Sequence, residues 1–363
     1  MKVLYINPFD SSGYGQAGLR YVKALEAAGV DVVARRLNLG GQPIPHEILA
    51  PYEQKSTEGV THCIQHTLPT HYQYCADYKQ IGLFALETLS CPPEWIRRLK
   101  WMDHVVHING DQKAAFDGDD WLMSSVVPHA CDPSLYEKTY PLYQDLVPYK
   151  ERGTYIFYGV GEWNRRKDWS SLLRAYYGEF NRSENVLLVI KTSGIAKQKA
   201  EDFARDIYVG MKLRQVECRP PVLFITDFLT EDKLMGLHQT CDCYVSSSHG
   251  EAWNIPCMDA MGFAKPVIVP DWGGFYDYVT PDCGRLNYVI CEPCFGAVDS
   301  VPETYRAHDL WSRIQIDGFG KSMRELASDP ELSKRLGRNG AARVHDFSYA
   351  KVGQQFAEVL RGI

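Results

Sequence analysis

Short apolar runs alternate along this chain with longer stretches in which apolar residues recur every three or four positions. Residues 2–6 form the first run, and glycines at 13–15 turn the chain. Residues 16–28 then carry Leu19, Val22 and Leu25 on one helical stripe, Gly29 stops it, and 30–34 is apolar again. The order strand, helix, strand predicts a βαβ unit of a parallel sheet. Further runs predict strands at 60–65, 82–85, 104–108 and 125–128. Segment 133–153 is rich in proline, tyrosine and charge, has no period, and reads as a linker. A second alternating series opens at 155–160. Its strands fall at 186–190, 222–226, 243–246 and 266–270, and its helices begin near Asp168, Lys197, Thr230 and Asn254. The last amphipathic stretch, 347–360, places Val352, Phe356 and Leu360 on one stripe. The pattern predicts an α/β protein with two doubly wound domains, over 1–148 and 149–345, and a terminal helix over 346–363.

Composition narrows the function classes. With 363 residues, 45% hydrophobic and 23% charged, the chain is long enough for two ordinary globular domains. A net charge of −6 removes overall positive charge as a drive toward nucleic acid or an anionic membrane. No apolar run approaches the length of a membrane-spanning helix, and the first fifteen residues read as strand and turn, not as a secretory leader. The eleven cysteines, many in apolar runs, read as reduced buried thiols of a cytoplasmic protein. Cys291 and Cys294 have zinc-ligand spacing, but no second pair of matching spacing follows, so no metal is expected.

The densest chemistry lies in HGEAWNIPCMDAMGFAKPVIVP, residues 249–270. Glu251 falls in a loop after an apolar run. Asp259 comes eight residues later, within a helix-compatible segment that has Pro256 near its start. Ligands of open α/β sheets sit beyond the carboxyl ends of the strands, where helix N-termini present N–H groups to anions. Carboxylates on either side of such a helix start suit a ligand with phosphate in the middle and hydroxyls at both ends, the shape of a nucleotide sugar. The ordinary structural reading gives Glu251 to a helix cap and Asp259 to a solvated face.

Glu251, Pro256, Ala260, Met261, Lys265, Pro266, Val267 and Ile268 stand in the register of a known pattern. This unit resembles the signature of the retaining glycosyltransferases of family 4, in which two glutamates are separated by seven residues. Here the second acid is Asp259, and Trp253 and Asn254 stand near the usual glycines. The resemblance implies the GT-B fold, two Rossmann-like domains facing a central cleft, with a C-terminal helix crossing back to the first domain. It implies that Glu251 binds sugar hydroxyls, that Asp259 binds ribose, and that the backbone at Asn254 and Ile255 holds diphosphate. GEWNRRKDW, residues 161–169, resembles the family's donor-phosphate loop. Lys167 matches its lysine, and Glu162 stands at the usual arginine position, with Arg165 or Arg166 available to replace it. A solvated basic turn is the plain alternative. Gly15, in a glycine turn after the first strand, takes the place of the family's glycine-rich loop. His66, at a strand end, matches a histidine that faces the transferred sugar. A structural histidine fits that position as well. His249 reads as a donor contact or a loop cap, and Trp253 as an apolar wall for a sugar face.

The resulting expectation is a metal-independent, retaining glycosyltransferase that moves a sugar from a nucleotide-sugar donor to the hydroxyl of a glycan or other acceptor. Attachment to a membrane surface and oligomeric state stay open. The alternatives are a sugar phosphorylase of the same fold, a transferase acting on a modified DNA base, which makes nucleic acid a partner only as acceptor, and a catalytically silent sugar-nucleotide-binding protein.

Overall fold

The computed structural model describes residues 1–116, 121–213, 215–295 and 304–363. It has two compact units, Met1–Asp132 with His345–Ile363, and Pro133–Val344. Segment 133–148, read from sequence as the end of the first domain, packs with the second unit.

In the first unit, strands β1 (Lys2–Asn7), β2 (Asp31–Arg36), β3 (His62–His66), β4 (Lys79–Phe84), β5 (His104–His107) and β6 (Ser124–Val126) form one sheet in the order β2-β1-β3-β4-β5-β6. All pairings are parallel. A parallel sheet needs a covering layer on both faces, which accounts for strands that read as apolar runs, not as alternations. The first helix, Gly13–Ala27, begins at Ser12, whose side chain accepts from the Gly15 N–H. It buries Leu19, Val22 and Leu25, the stripe visible in the sequence. The C-terminal helix, Tyr349–Arg361, lies against it with Val352, Phe356 and Leu360 buried. That approach requires Gly353, because a Cβ there would lie 1.8 Å from the Ala24 carbonyl oxygen.

In the second unit, β7 (Tyr155–Val160), β8 (Val186–Lys191), β9 (Val222–Ile225), β10 (Cys243–Val245), β11 (Val267–Pro270) and β12 (Gly284–Asn287) form a parallel sheet in the order β12-β11-β10-β7-β8-β9. Counted from β7, this is the 3-2-1-4-5-6 order of the dinucleotide-binding fold read from the other edge. Its core, which includes Phe157, Leu172, Tyr176, Leu188, Ile190 and Phe319, lies between the sheet and its helices. The order reverses between β7 and β10, so the loops after these two strands diverge to opposite sides and leave a crevice at the carboxyl edge. In the first unit the same reversal falls between β1 and β3.

Two strand features were not read from the sequence. β12 reads GRLN, too short and polar to signal a buried strand. An antiparallel hairpin, β13 (Val289–Pro293) with β14 (Leu310–Ile314), lies where only a cysteine-bearing loop was expected. Proline, glutamate and cysteine within β13 hide its alternation. Cys291 is exposed on that strand and Cys294, just after it, is buried.

Candidate active site

The loop after β7 is built to present a lysine. Asn164 accepts a hydrogen bond from the Lys167 N–H at 3.2 Å and closes a 3-10 turn over Arg165–Lys167. Asp168 ends that turn with left-handed backbone (φ 44°, ψ 49°) and caps the helix Trp169–Glu179 by accepting from Ser171 N–H. Gly161 leaves room for the lysine stem, since a Cβ there would stand 3.0 Å from Lys167 Cε.

The loop after β10 is laced to this turn through a run of serines. Ser247 Oγ donates to the carbonyls of Lys167 (3.1 Å) and Asp168 (2.8 Å). Ser248 Oγ donates to the Arg166 carbonyl at 3.1 Å, and His249 N–H to the same oxygen at 2.7 Å. Sequence reasoning passed over these serines, although three hydroxyl residues directly after a buried strand were a usable signal. The lacing brings Glu251 against two cations. Its Oε1 lies 2.5 Å from Lys167 Nζ and its Oε2 3.1 Å from Arg166 Nη1. Arg166 Nη1 also donates to the Gly250 carbonyl at 2.7 Å. Arg165 turns aside and donates to the Phe295 carbonyl. Of the basic triplet, therefore, the structure brings only Arg166 and Lys167 to Glu251.

The cluster is nearly dry, with side-chain exposure of 6% for Glu251, 13% for Lys167 and 17% for Arg166. Burial alone would raise the Glu251 carboxyl, but Lys167 and Arg166 outweigh it and hold the pKa well below the ordinary 4.5. A carboxyl depressed by folding contributes stability that is complete above its unfolded value and is lost as pH falls through its folded one. We therefore expect the melting temperature of wild type to exceed that of Glu251→Gln at pH 7, and the gap to shrink as pH is lowered below about 4.5. A gap that does not change on acidification would show that Glu251 is not ionised in this pairing.

Asn254 has left-handed backbone (φ 71°) and caps the helix Ile255–Gly262, its side chain accepting from Cys257 N–H at 3.1 Å. Tyr244, on β10, donates to the same Asn254 oxygen at 3.0 Å. Ile255 opens the helix, with Pro256 in its first turn. Gly273 and Gly274 let the following segment close on this loop. Gly274 N–H donates to the Glu251 carbonyl at 3.0 Å, and a Cβ on Gly274 would come within 2.1 Å of the Ala252 carbonyl oxygen. Trp253, read from sequence as an open wall, is buried, with its ring 4.8 Å from that of Tyr278. Asp259 is buried on the helix and accepts from Tyr136 OH at 2.7 Å. Tyr136 fits only because residue 262 is glycine, where a Cβ would overlap its ring at 2.4 Å.

In the first unit, His66 ends β3 beside the topological reversal, but its ring is buried. Nδ1 lies 2.8 Å from Tyr5 OH, and the rings of Tyr14, Tyr21 and His129 surround it. Burial, followed by the charge of His129, pushes its pKa well below 6.5, so it is neutral at physiological pH. Gly15 is needed for close approach, because a Cβ there would stand 2.1 Å from the Asp10 carbonyl oxygen. Asn7, which sequence reasoning missed, donates to the carbonyls of Tyr14 (3.0 Å) and His66 (2.9 Å) and so fastens these two loops to each other. Among the described residues, no group of three or more His, Cys, Asp or Glu is placed to hold a metal ion, and no helix is long and apolar enough to cross a membrane.

One comparison with known proteins falls on this region. The family described as Glycosyl transferases group 1 matches residues 150–294, which include both loops, the carboxylate and its cations. An alpha-1,3/1,6-mannosyltransferase ALG2 of Dictyostelium discoideum is 21% identical over 231 residues, 61% of this chain and 49% of that protein. The match thus spans about half the length of that relative. Among solved structures, Anabaena HepE in complex with UDP and glucose superposes with a TM-score of 0.70 at 15% identity, covering 100% of both chains. Sucrose-phosphate synthase from Thermosynechococcus elongatus gives 0.67 at 16% identity over 100% of this chain and 98% of its own. Residues 150–294 therefore match the glycosyl transferases group 1 family, in a chain that has the GT-B fold.

Proposed function

We propose that this protein is a retaining, metal-independent glycosyltransferase that moves a sugar from a nucleotide-sugar donor to an acceptor hydroxyl, in the synthesis of a glycan or polysaccharide. The observation that carries the reading is the cluster of Lys167, Arg166 and Glu251 at the strand-order reversal of the second unit. Two cations face one carboxylate, so the cluster holds an excess positive charge in a nearly dry place. A diphosphate leaving group gains negative charge as the glycosidic bond breaks, and fixed positive charge there lowers the barrier. Lys167 and Arg166 hold the diphosphate, helped by the N-terminus of the helix Ile255–Gly262. Glu251 orients sugar hydroxyls and keeps the two cations in place before the donor arrives. Asp259 contacts ribose only if Tyr136 releases it.

In this mechanism the departing phosphate oxygen takes the acceptor proton on the face from which it leaves. No enzyme carboxylate then serves as a covalent nucleophile. Because protein cations balance the diphosphate, EDTA leaves initial rates unchanged within about twofold. Activity lost on chelation and restored by magnesium or manganese contradicts this part of the reading. The proposal is tested by thermal shift with a panel of UDP-, GDP- and ADP-sugars. At least one should raise the melting temperature of wild type, and of Lys167→Ala by a slightly smaller margin. A flat response across the panel counts against it.

One observation favours a second reading, a sugar-nucleotide-binding protein without turnover. The acid at the second motif position is short, buried and already engaged by Tyr136. Donor binding with no release of sugar from the nucleotide, in the presence of varied acceptors, selects that reading.

A further inference from the structure

A second contact joins the turn that carries Lys167 to the loop that carries Glu251. Asp168, next to Lys167, has a left-handed conformation that non-glycine residues avoid, and such positions persist only where their surroundings hold them. Its Oδ1 caps the helix that follows. Its Oδ2 is buried and has no hydrogen-bond partner among the described residues. The group facing that oxygen is His249 Nε2, at 3.7 Å.

His249 is gripped on its other sides by the hairpin. Its ring stacks on Trp311 with centroids 4.3 Å apart, and Nδ1 lies 2.5 Å from the Ser312 carbonyl oxygen. The Ser312 N–H and Oγ both donate back to the His249 carbonyl at 2.8 Å. Beside a carbonyl, Nδ1 must carry hydrogen. A neutral ring would therefore aim a bare Nε2 lone pair at Asp168 and, at 4.0 Å, at Glu292. Glu292 is itself paired with Arg313 at 2.7 Å, and the remaining charged neighbour, Arg166, meets His249 through its carbonyl. The arrangement is attractive only when one more proton lies between Nε2 and the Asp168 carboxylate. Burial, which raises the Asp168 carboxyl above its ordinary range against the pull of His249 and Ser171, favours keeping that proton.

We propose that Asp168 and His249 are a positioning pair: a proton held between them ties the Lys167 turn to the Glu251 loop and fixes the spacing of the cation from the carboxylate. In this role His249 acts on the donor at one remove, through Lys167 and Glu251. The inference rests on the donor-site reading of Lys167 and Glu251.

Substitutions separate the two ideas. Asp168→Gly keeps the backbone conformation and removes the carboxylate. His249→Phe keeps the stack on Trp311 and removes Nε2. Each should lower kcat about tenfold with donor KM changed less than about twofold, and the double variant should be no worse than either single one. Asp168→Asn tolerates the left-handed backbone, still caps Ser171, and offers an N–H to a neutral imidazole. It should keep turnover within about threefold. Hydrogen exchange over residues 161–168 and 247–252 should quicken in the Gly and Phe variants but not in Asn, a readout that needs no turnover. Wild-type kinetics and exchange in the Gly and Phe variants, or additive losses in the double variant, overturn the pairing. If those variants are normal while Lys167→Ala and Glu251→Gln are impaired, the pairing alone fails. If Lys167→Ala and Glu251→Gln turn over normally, the donor-site reading fails.

Discussion

Glu251→Ala should lower turnover at saturating donor by at least about tenfold and should also lower the melting temperature. The carboxylate is the shared partner of Lys167 and Arg166, both largely buried. Removing one side of a buried ion pair strands the other, at a cost of about 3–5 kcal/mol. The loss of turnover has a separate origin. A charged hydrogen-bonded contact to the sugar is worth about 1.5–3 kcal/mol, and each 1.4 kcal/mol is tenfold in rate. Kinetics must therefore be read at a temperature where circular dichroism shows the variant folded. Glu251→Gln, which keeps size and two hydrogen-bonding groups, should be more stable than Glu251→Ala yet almost as slow. A Glu251→Ala protein that is folded and fully active would remove this residue from the site.

Lys167→Ala should show the opposite balance, with a smaller stability effect and a larger kinetic one. Arg166 remains to pair Glu251, so no buried carboxylate is left alone. The ammonium interacts most strongly with the diphosphate as charge develops on it, so its loss raises the barrier more than it weakens donor binding. We expect kcat to fall about ten- to hundredfold and donor Kd to rise less than about threefold. Arg166→Ala should follow the same pattern more weakly. Arg165→Ala should resemble wild type in kcat, since Arg165 bonds the Phe295 carbonyl and not Glu251. Kinetics paired with calorimetric donor titration on each variant would show this. A rise in donor Kd with kcat unchanged would place Lys167 in ground-state binding alone.

The sequence carried the fold further than the site. Parallel strands buried on both faces announce themselves as apolar runs, and both six-stranded sheets were legible apart from β12, where Gly284 to Asn287 are polar. The hairpin β13–β14 was not legible, because proline, glutamate and cysteine within β13 hide its alternation. Within the site, Lys167 and Glu251 could be paired because a linear motif lists both. The means by which they meet could not. Ser247 and Ser248 act through carbonyls of residues eighty positions away, and no local pattern marks such contacts. The choice between Arg165 and Arg166 depends on the side chain's direction from a 3-10 turn, which spacing does not encode. Asp259 and Trp253 are marked by the motif but are engaged by Tyr136 and Tyr278, partners distant from them in sequence.

The central claim is sugar transfer from a nucleotide sugar with retained configuration, and the most direct test follows the anomeric centre. Wild-type protein, the donor that gives the largest thermal shift and an acceptor, or water in its absence, are mixed and the first product is observed by proton NMR before mutarotation. An α-linked donor should yield an α-configured product, and Lys167→Ala should slow its appearance at least about tenfold under the same conditions. A β-configured first product, or a nucleotide sugar that binds and is never cleaved, would contradict the account.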